Sequence, residues 1–208
     1  AEPQPGPHLQ PLRVAALVWL SSVLWPLGLL DQAAACSRRS LACAQALERP
    51  RTLAFALLLG GALFDLQCND LSAAETKMSA VLQVAIAKDL ALFRHIAGVY
   101  HGYLSVWKGA AEEGIAQMRR ELAAWQALGA TSGVVQHYLL LAKAHEAAGA
   151  VAAGLETVTE ALALVERFGM RYNEAELWRV RGELLMQQGE MEGAASCLAQ
   201  AMAVAQSQ

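Results

Sequence analysis

Aromatic side chains make up only 6% of the 208 residues and charged ones only 17%, against 55% apolar residues. So little charge beside so much apolar material excludes a disordered chain and provides for a buried core. Scarce aromatics with abundant Ala and Leu favour closely packed helices, because Ala costs no side-chain entropy and lets helix axes approach. Cysteine is also scarce: Cys36, Cys43, Cys68 and Cys197 form no CxxC pair and no Cys/His cluster at zinc spacing. Cys36 and Cys43 lie two turns apart on one expected helix, too far for a disulfide, so reduced thiols in a cytoplasmic protein are the simpler reading. Positive charge is not in excess. The net charge is −3, with nine Lys/Arg against seven Asp/Glu up to residue 110 and seven against twelve beyond it. No basic stripe results, which disfavours nucleic-acid binding. The one long uncharged run, Val14 to Leu30 after Arg13, approaches the length of a membrane span or signal peptide. Pro26 and Gly28 break it and Asp31 follows, while Leu53 to Phe64 is too short to span, so no membrane insertion is expected. No HExxH, no GxxxxGK[ST], no Ser or Cys nucleophile beside a His and no helix-turn-helix DNA-binding unit occurs. The chain is expected to be no enzyme, with no metal site and no cofactor.

What is present is a repeat. Gly182, Gly189 and Ala194 define G-x6-G-x4-A. Steps back along the chain give Ala142, Gly149 and Gly154; Gly102, Gly109 and Gly114; then, with one step of 41, Gly61, Cys68 and Ala73; and finally Ser21, Gly28 and Ala33. All fifteen positions hold Gly, Ala, Ser or Cys. Small residues at the first and third places let two helices cross at close range, and the middle one suits the left-handed cap that ends a helix. The spacing therefore predicts a helical hairpin about every 40 residues. First helices are expected near 12–26, 52–67, 92–108, 132–148 and 173–188, and second helices near 30–47, 70–87, 110–127, 150–167 and 190–206. Leu41, Val81, Leu122, Leu162 and Met202, each about twenty residues after its anchor, form the expected core stripe. The fold class is all-α, a right-handed superhelix (α-solenoid) of five hairpins, in which each unit leans on its neighbours. The organisation is a Pro-rich, disordered lead-in over 1–11 and one helical-repeat domain over 12–208, with units 12–50, 51–90, 91–130, 131–170 and 171–208. The last unit is polar on its first helix and apolar on its second, from which the natural chain is expected to continue or to be covered there.

The anchors resemble the tetratricopeptide pattern W-x2-L-G-x2-Y…A-x3-F: Trp178, Gly182, Leu185, Ala194 and Leu198 take its places in the last unit, with Arg181 where Leu belongs. Leu57, Gly60, Gly61, Phe64 and Ala73 match in type in the second unit. The period of about 40 exceeds the usual 34, and the closing Pro is absent. The phrasing of LWPLGLLDQAAACSRRSLACAQAL (24–47), GAAEEGIAQMRRELAAWQALGA (109–130) and GLETVTEALALVERFGMRYNEAELWRVRGELLMQQGE (154–190) resembles the C-terminal helical array of large bacterial signalling ATPases. In those proteins a nucleotide-cyclase or DNA-binding domain precedes a P-loop ATPase and the repeats. The resemblance implies a regulatory, non-catalytic portion of such a parent, with the parent's other domains among its partners.

In tetratricopeptide arrays the first helices line the concave face, so the positions six and three before each anchor and one and four after it are candidate binding residues. They are Ala15, Val18, Ser22 and Trp25; Phe55, Leu58, Ala62 and Asp65; Ile96, Val99, Tyr103 and Val106; Gln136, Leu139, Lys143 and Glu146; and Glu176, Arg179, Glu183 and Met186. Trp25, Phe55, Leu58, Ile96, Val99, Tyr103, Val106, Leu139, Lys143, Arg179 and Glu183 are the expected contact set, apolar towards one end and charged towards the other. An apolar concave surface suits an extended protein or peptide partner. The alternatives are an oligomerisation module whose groove pairs with a second copy as a homodimer, and a small-molecule sensor with a closed pocket near Tyr103, Trp107 and His137. His101 and His145 fall at packed positions and read as core. The Arg179/Glu183 pair reads as a solvated helix face.

Overall fold

The protein is described by a computed structural model over residues 11–129 and 133–208. The expected Pro-rich lead-in lies, apart from Pro11, outside the described residues. Among these residues the chain is all-helical, without strands. The helices are α1 (Leu12–Leu24), α2 (Leu30–Ala46), α3 (Pro50–Phe55) continued by a π-helical stretch (Ala56–Ala62) into α4 (Leu63–Gln67), and α5 (Leu71–Ala87). There follow α6 (Ala91–Trp107), α7 (Ala111–Ala127), α8 (Val134–Ala147), α9 (Val151–Phe168), α10 (Glu174–Gln188) after a 3-10 turn (Arg171–Asn173), and α11 (Met191–Ser207). The chain divides within α6 into two compact units, 1–97 and 98–208.

In the first unit, the buried residues of α1 (Val14, Leu17, Val18, Ser21 and Leu24) recur at the three- and four-residue spacing that puts one helix face inward. Val14 and Val18 pack with Ala44 and Ala56, while Leu17 and Leu24 pack with Ala33 and Cys36. The first and third small positions meet as expected: Ser21 Oγ donates to the Ala33 carbonyl oxygen at 2.8 Å. All four cysteines are free.

The second repeat differs from its expected register by one residue. Left-handed backbone falls at Gly28, then at Asn69, Gly109, Gly149 and Gly189, so the 41-residue step separates Gly28 from Asn69. The turns between hairpins say the same, since Glu48 and Asp89 are 41 apart while Gly129 and Gly169 follow at 40. The additional residue therefore lies between Glu48 and Asn69, where Ala56–Ala62 is π-helical. A π turn accommodates one extra residue without breaking the rod. The structural anchors of this repeat are Ala62, Asn69 and Ala74, with Ala62 and Ala74 fully buried, rather than Gly61, Cys68 and Ala73. Asn replaces Gly because its short polar side chain tolerates the left-handed region. The closing bonds, Asn69 N–H to Leu66 O and Asp70 N–H to Asp65 O, satisfy the last carbonyls, and the Asp70 side chain accepts from the Ala73 N–H to start α5.

In the second unit α6 and α7 cross at very close range. A Cβ placed on Gly114 would sit 2.5 Å from the Gly102 carbonyl oxygen, and one on Gly102 would sit 2.6 Å from that of Gly114. Only glycine on both sides permits this approach. Trp125, Met118 and Leu122 of α7, Val158 and Ala161 of α9, and Leu177, Val180 and Leu184 of α10 fill the interior. No helix among the described residues is long and apolar enough to cross a membrane.

Candidate functional site

Three first helices of the second unit, α6, α8 and α10, present side chains to a common cleft of about 370 Å³ lined by Tyr103, Trp107, Lys143, Glu146, Ala147, Arg179 and Gln187. Four of these, Tyr103, Lys143, Glu146 and Arg179, stand at the groove positions counted from the anchors. The other three fall outside that count and share one signal: Trp107, Ala147 and Gln187 each lie five residues after their anchor. One wall is aromatic, with Tyr103 and Trp107 edge to face at 6.2 Å between ring centroids and Trp107 more than half exposed.

The opposite walls carry an ion-pair network. Lys143 Nζ lies 2.5 Å from Glu176 Oε1, and Arg179 donates through Nε to Glu176 Oε2 at 2.6 Å and through Nη2 to Glu176 Oε1 at 2.9 Å. Arg179 also donates through Nη1 to Glu183. Burial alone would raise the Glu176 carboxyl, but the hydrogen bonds from Arg179 and Lys143 outweigh it and hold it below its usual range. Arg179 is held charged, first by its hydrogen bonds to Glu176. The network is thus a packed arrangement bridging α8 and α10 rather than a freely solvated face. Glu146 stands apart. Partial burial, then a hydrogen bond to Glu183 and repulsion from that carboxylate, push it up to about 7 against the pull of Arg179 and Lys143. Two cations face three carboxyl groups here.

The remaining expected contact residues divide by burial. Leu58, Val99, Val106 and Leu139 are buried, Leu58 completely, and offer no open surface. Leu58 sits inside the π-helical stretch, where the one-residue register shift changes which side chains face inward. Trp25 and Phe55 are half-buried against the core of the first unit, and Ile96 is half-buried. His137 does not join Tyr103 and Trp107 in the cleft: it is buried between Tyr100 and Trp125, with ring centroids at 5.6 and 4.6 Å, and burial lowers it to about 4. Burial likewise raises the Tyr100 hydroxyl. His145 is buried as expected, with Nε2 3.2 Å from Arg119 Nη2. No group of His, Cys, Asp or Glu suited to hold a metal occurs among the described residues.

No protein-family model matches the chain, and no curated protein matches it by sequence. Solved structures do match in fold. BtubC (BKLC) from P. vanneervenii superposes with a TM-score of 0.65 at 16% identity, over 93% of this chain and 80% of that one. The apo form of RapI gives 0.64 at 7% identity, over 96% and 86%. The Podosopora anserina putative kinesin light chain with nearly identical TPR-like repeats gives 0.58 at 13% identity, over 92% and 94%. The likeness is one of fold: this chain has the all-helical, solenoid-type architecture of the tetratricopeptide-like repeat proteins.

Proposed function

We propose that this protein is a non-catalytic interaction scaffold that binds an extended protein or peptide segment along the first-helix face of its second unit. The observation that carries the reading is the convergence of Tyr103, Trp107, Lys143, Glu146 and Arg179, from three successive first helices, on one cleft. Aromatic walls with fixed polar groups provide contact area and orientation for a peptide. A parent signalling ATPase in a reducing cytoplasm fits the phrasing of residues 24–47, 109–130 and 154–190, with the present residues as its regulatory array. The experiment is a selection from displayed random peptides against the chain and against its Lys143→Glu/Arg179→Glu variant. Enrichment of a peptide class on the first and its loss on the second, with helicity unchanged, is the expected result. Equal enrichment on both would refute the placement.

Self-association is a second reading, favoured by the exposed Leu12, Trp19, Leu20 and Val23 of α1, Leu27 and Leu29 of the turn after it, and Leu30 at the start of α2. Light scattering across a concentration series tests it: a mass that grows with concentration supports it, and a constant monomer mass refutes it.

A further inference from the structure

We propose that copies of this chain join head to tail, the exposed face of α1 in one copy seating on the exposed face of α11 in the next. The inference rests on the self-association reading above and names the two surfaces that meet.

Within the second unit the chain makes one kind of contact twice, where the second helix of a hairpin meets the first helix of the next. Trp125 of α7 stands against His137 of α8, with ring centroids 4.6 Å apart. One hairpin later Leu184 of α10 lies over Gly154 of α9, its Cδ2 only 2.9 Å from where a Cβ on that glycine would sit. Counted from the small-residue anchors, His137 is five before and Leu184 two after, and the position two before, Leu140 or Val180, shares their face. These three positions are buried in both α8 and α10. In α1 they hold Ala16, Trp19 and Val23, and all three are exposed, Trp19 and Val23 at 57% each.

The receiving face shows the same contrast. Val151, Leu155, Leu162 and Val165 of α9 are buried or half-buried. One repeat on, in α11, stand Met191, Ala195, Met202 and Ala205, all exposed, both methionines at 64%. The chain thus carries both halves of a contact that it also forms internally, and among the described residues each half is apolar and open. No charged side chain occurs from Val14 to Leu30 or from Gly193 to Gln208, so closing the two faces desolvates no side-chain charge there. The bulky Trp19 finds small Ala195 and Ala205 opposite, flanked by methionines that adapt their shape. Because the two faces differ, each added copy leaves one of each kind open, and association continues past the dimer.

The test measures mass by light scattering across a concentration series for the full chain, for Trp19→Glu, for Met202→Glu, and for an equimolar mixture of the two variants. The wild-type mass should rise with concentration past twice the monomer mass. Each variant has lost one face and should remain monomeric. Their mixture retains one intact face of each kind, so it should reach twice the monomer mass and stop there. Both substitutions fall at exposed positions, and circular dichroism should show unchanged helicity. Val23→Glu and Ala195→Glu form an independent second pair with the same expected behaviour. Ile86→Glu, at an exposed apolar position outside both faces, should associate as the wild type does. Growth of Met202→Glu alone would mean that α11 is not the partner of α1, and would overturn the head-to-tail contact while leaving self-association standing. A mixture that stays monomeric while the wild type grows would overturn it in the same way. A wild-type mass constant at the monomer value would overturn self-association and this inference together, leaving both faces to a partner of other sequence.

Discussion

Replacing Gly114 by Ala tests the tightest contact in the fold. The new Cβ would lie 2.5 Å from the Gly102 carbonyl oxygen, 2.8 Å from Val106 Cγ2 and 3.1 Å from the Val106 nitrogen. Two of these three neighbours are backbone, so rotamer change cannot relieve the clash and α6 and α7 must separate. Alanine gains up to about 1 kcal/mol in helix propensity over glycine. Overpacking of a well-filled interior costs about 1–3 kcal/mol, and a clash with backbone belongs at the upper end. The net expectation is a loss of about 2 kcal/mol, read as a lower denaturant midpoint with an unchanged slope. Gly193→Ala is the control. Its Cβ would meet Leu185 Cδ1 at 3.4 Å, an ordinary contact, so only the propensity acts and stability should hold or rise by up to about 1 kcal/mol. If Gly114→Ala proves as harmless as Gly193→Ala, the close crossing of α6 and α7 is wrong.

His137 is buried and lowered to about 4, so the unfolded chain, titrating near 6.5, binds the extra proton between those values and stability falls as pH drops through that window. The loss is at most roughly 3 kcal/mol, and His137→Phe should flatten the difference in denaturation midpoint between pH 7 and pH 4.5. Glu146 has the opposite sign: raised to about 7, it favours folding below its unfolded value and that contribution is lost as pH rises through about 7, so Glu146→Gln should raise the melting temperature more at pH 8 than at pH 5. Glu48 holds φ 49°, which costs a non-glycine residue about 1 kcal/mol. Glu48→Gly should therefore stabilise by at most roughly half a kcal/mol in urea unfolding, after the entropy glycine adds to the unfolded chain. Deleting Leu57 should be tolerated in thermal melts, because the π turn can revert to α and absorb the loss, whereas deleting Leu140 inside the regular α8 should abolish cooperative melting.

Where the small residues of the repeat report backbone geometry, the fold was legible in the sequence. Gly102 and Gly114 touch, Gly109 ends α6 in the left-handed region, and each expected helix is present with ends within about two residues. Gly61, Cys68 and Ala73 fit the small-residue pattern and Asn69 does not, so composition pointed to the wrong set and could not reveal that the π turn selects Ala62, Asn69 and Ala74. The turns at Glu48 and Asp89 carried no glycine signal either. For the site, counting from the anchors gathered Tyr103, Lys143, Glu146 and Arg179, because equivalent positions on successive first helices point the same way. It also selected Leu58, Val99, Val106 and Leu139, which are buried, since one helical spacing serves both an open groove and a packed seam. The rise of Glu146 comes first from its partial burial and then from Glu183 on another helix, neither of which local spacing encodes.

The most direct measurement is hydrogen exchange on the chain alone and with a saturating selected peptide, resolved by segment. Protection confined to α6, α8 and α10 around Trp107, Glu146 and Arg179 is the predicted result. Protection elsewhere, with these three helices unchanged, would contradict the claim that the cleft of the second unit is the binding surface.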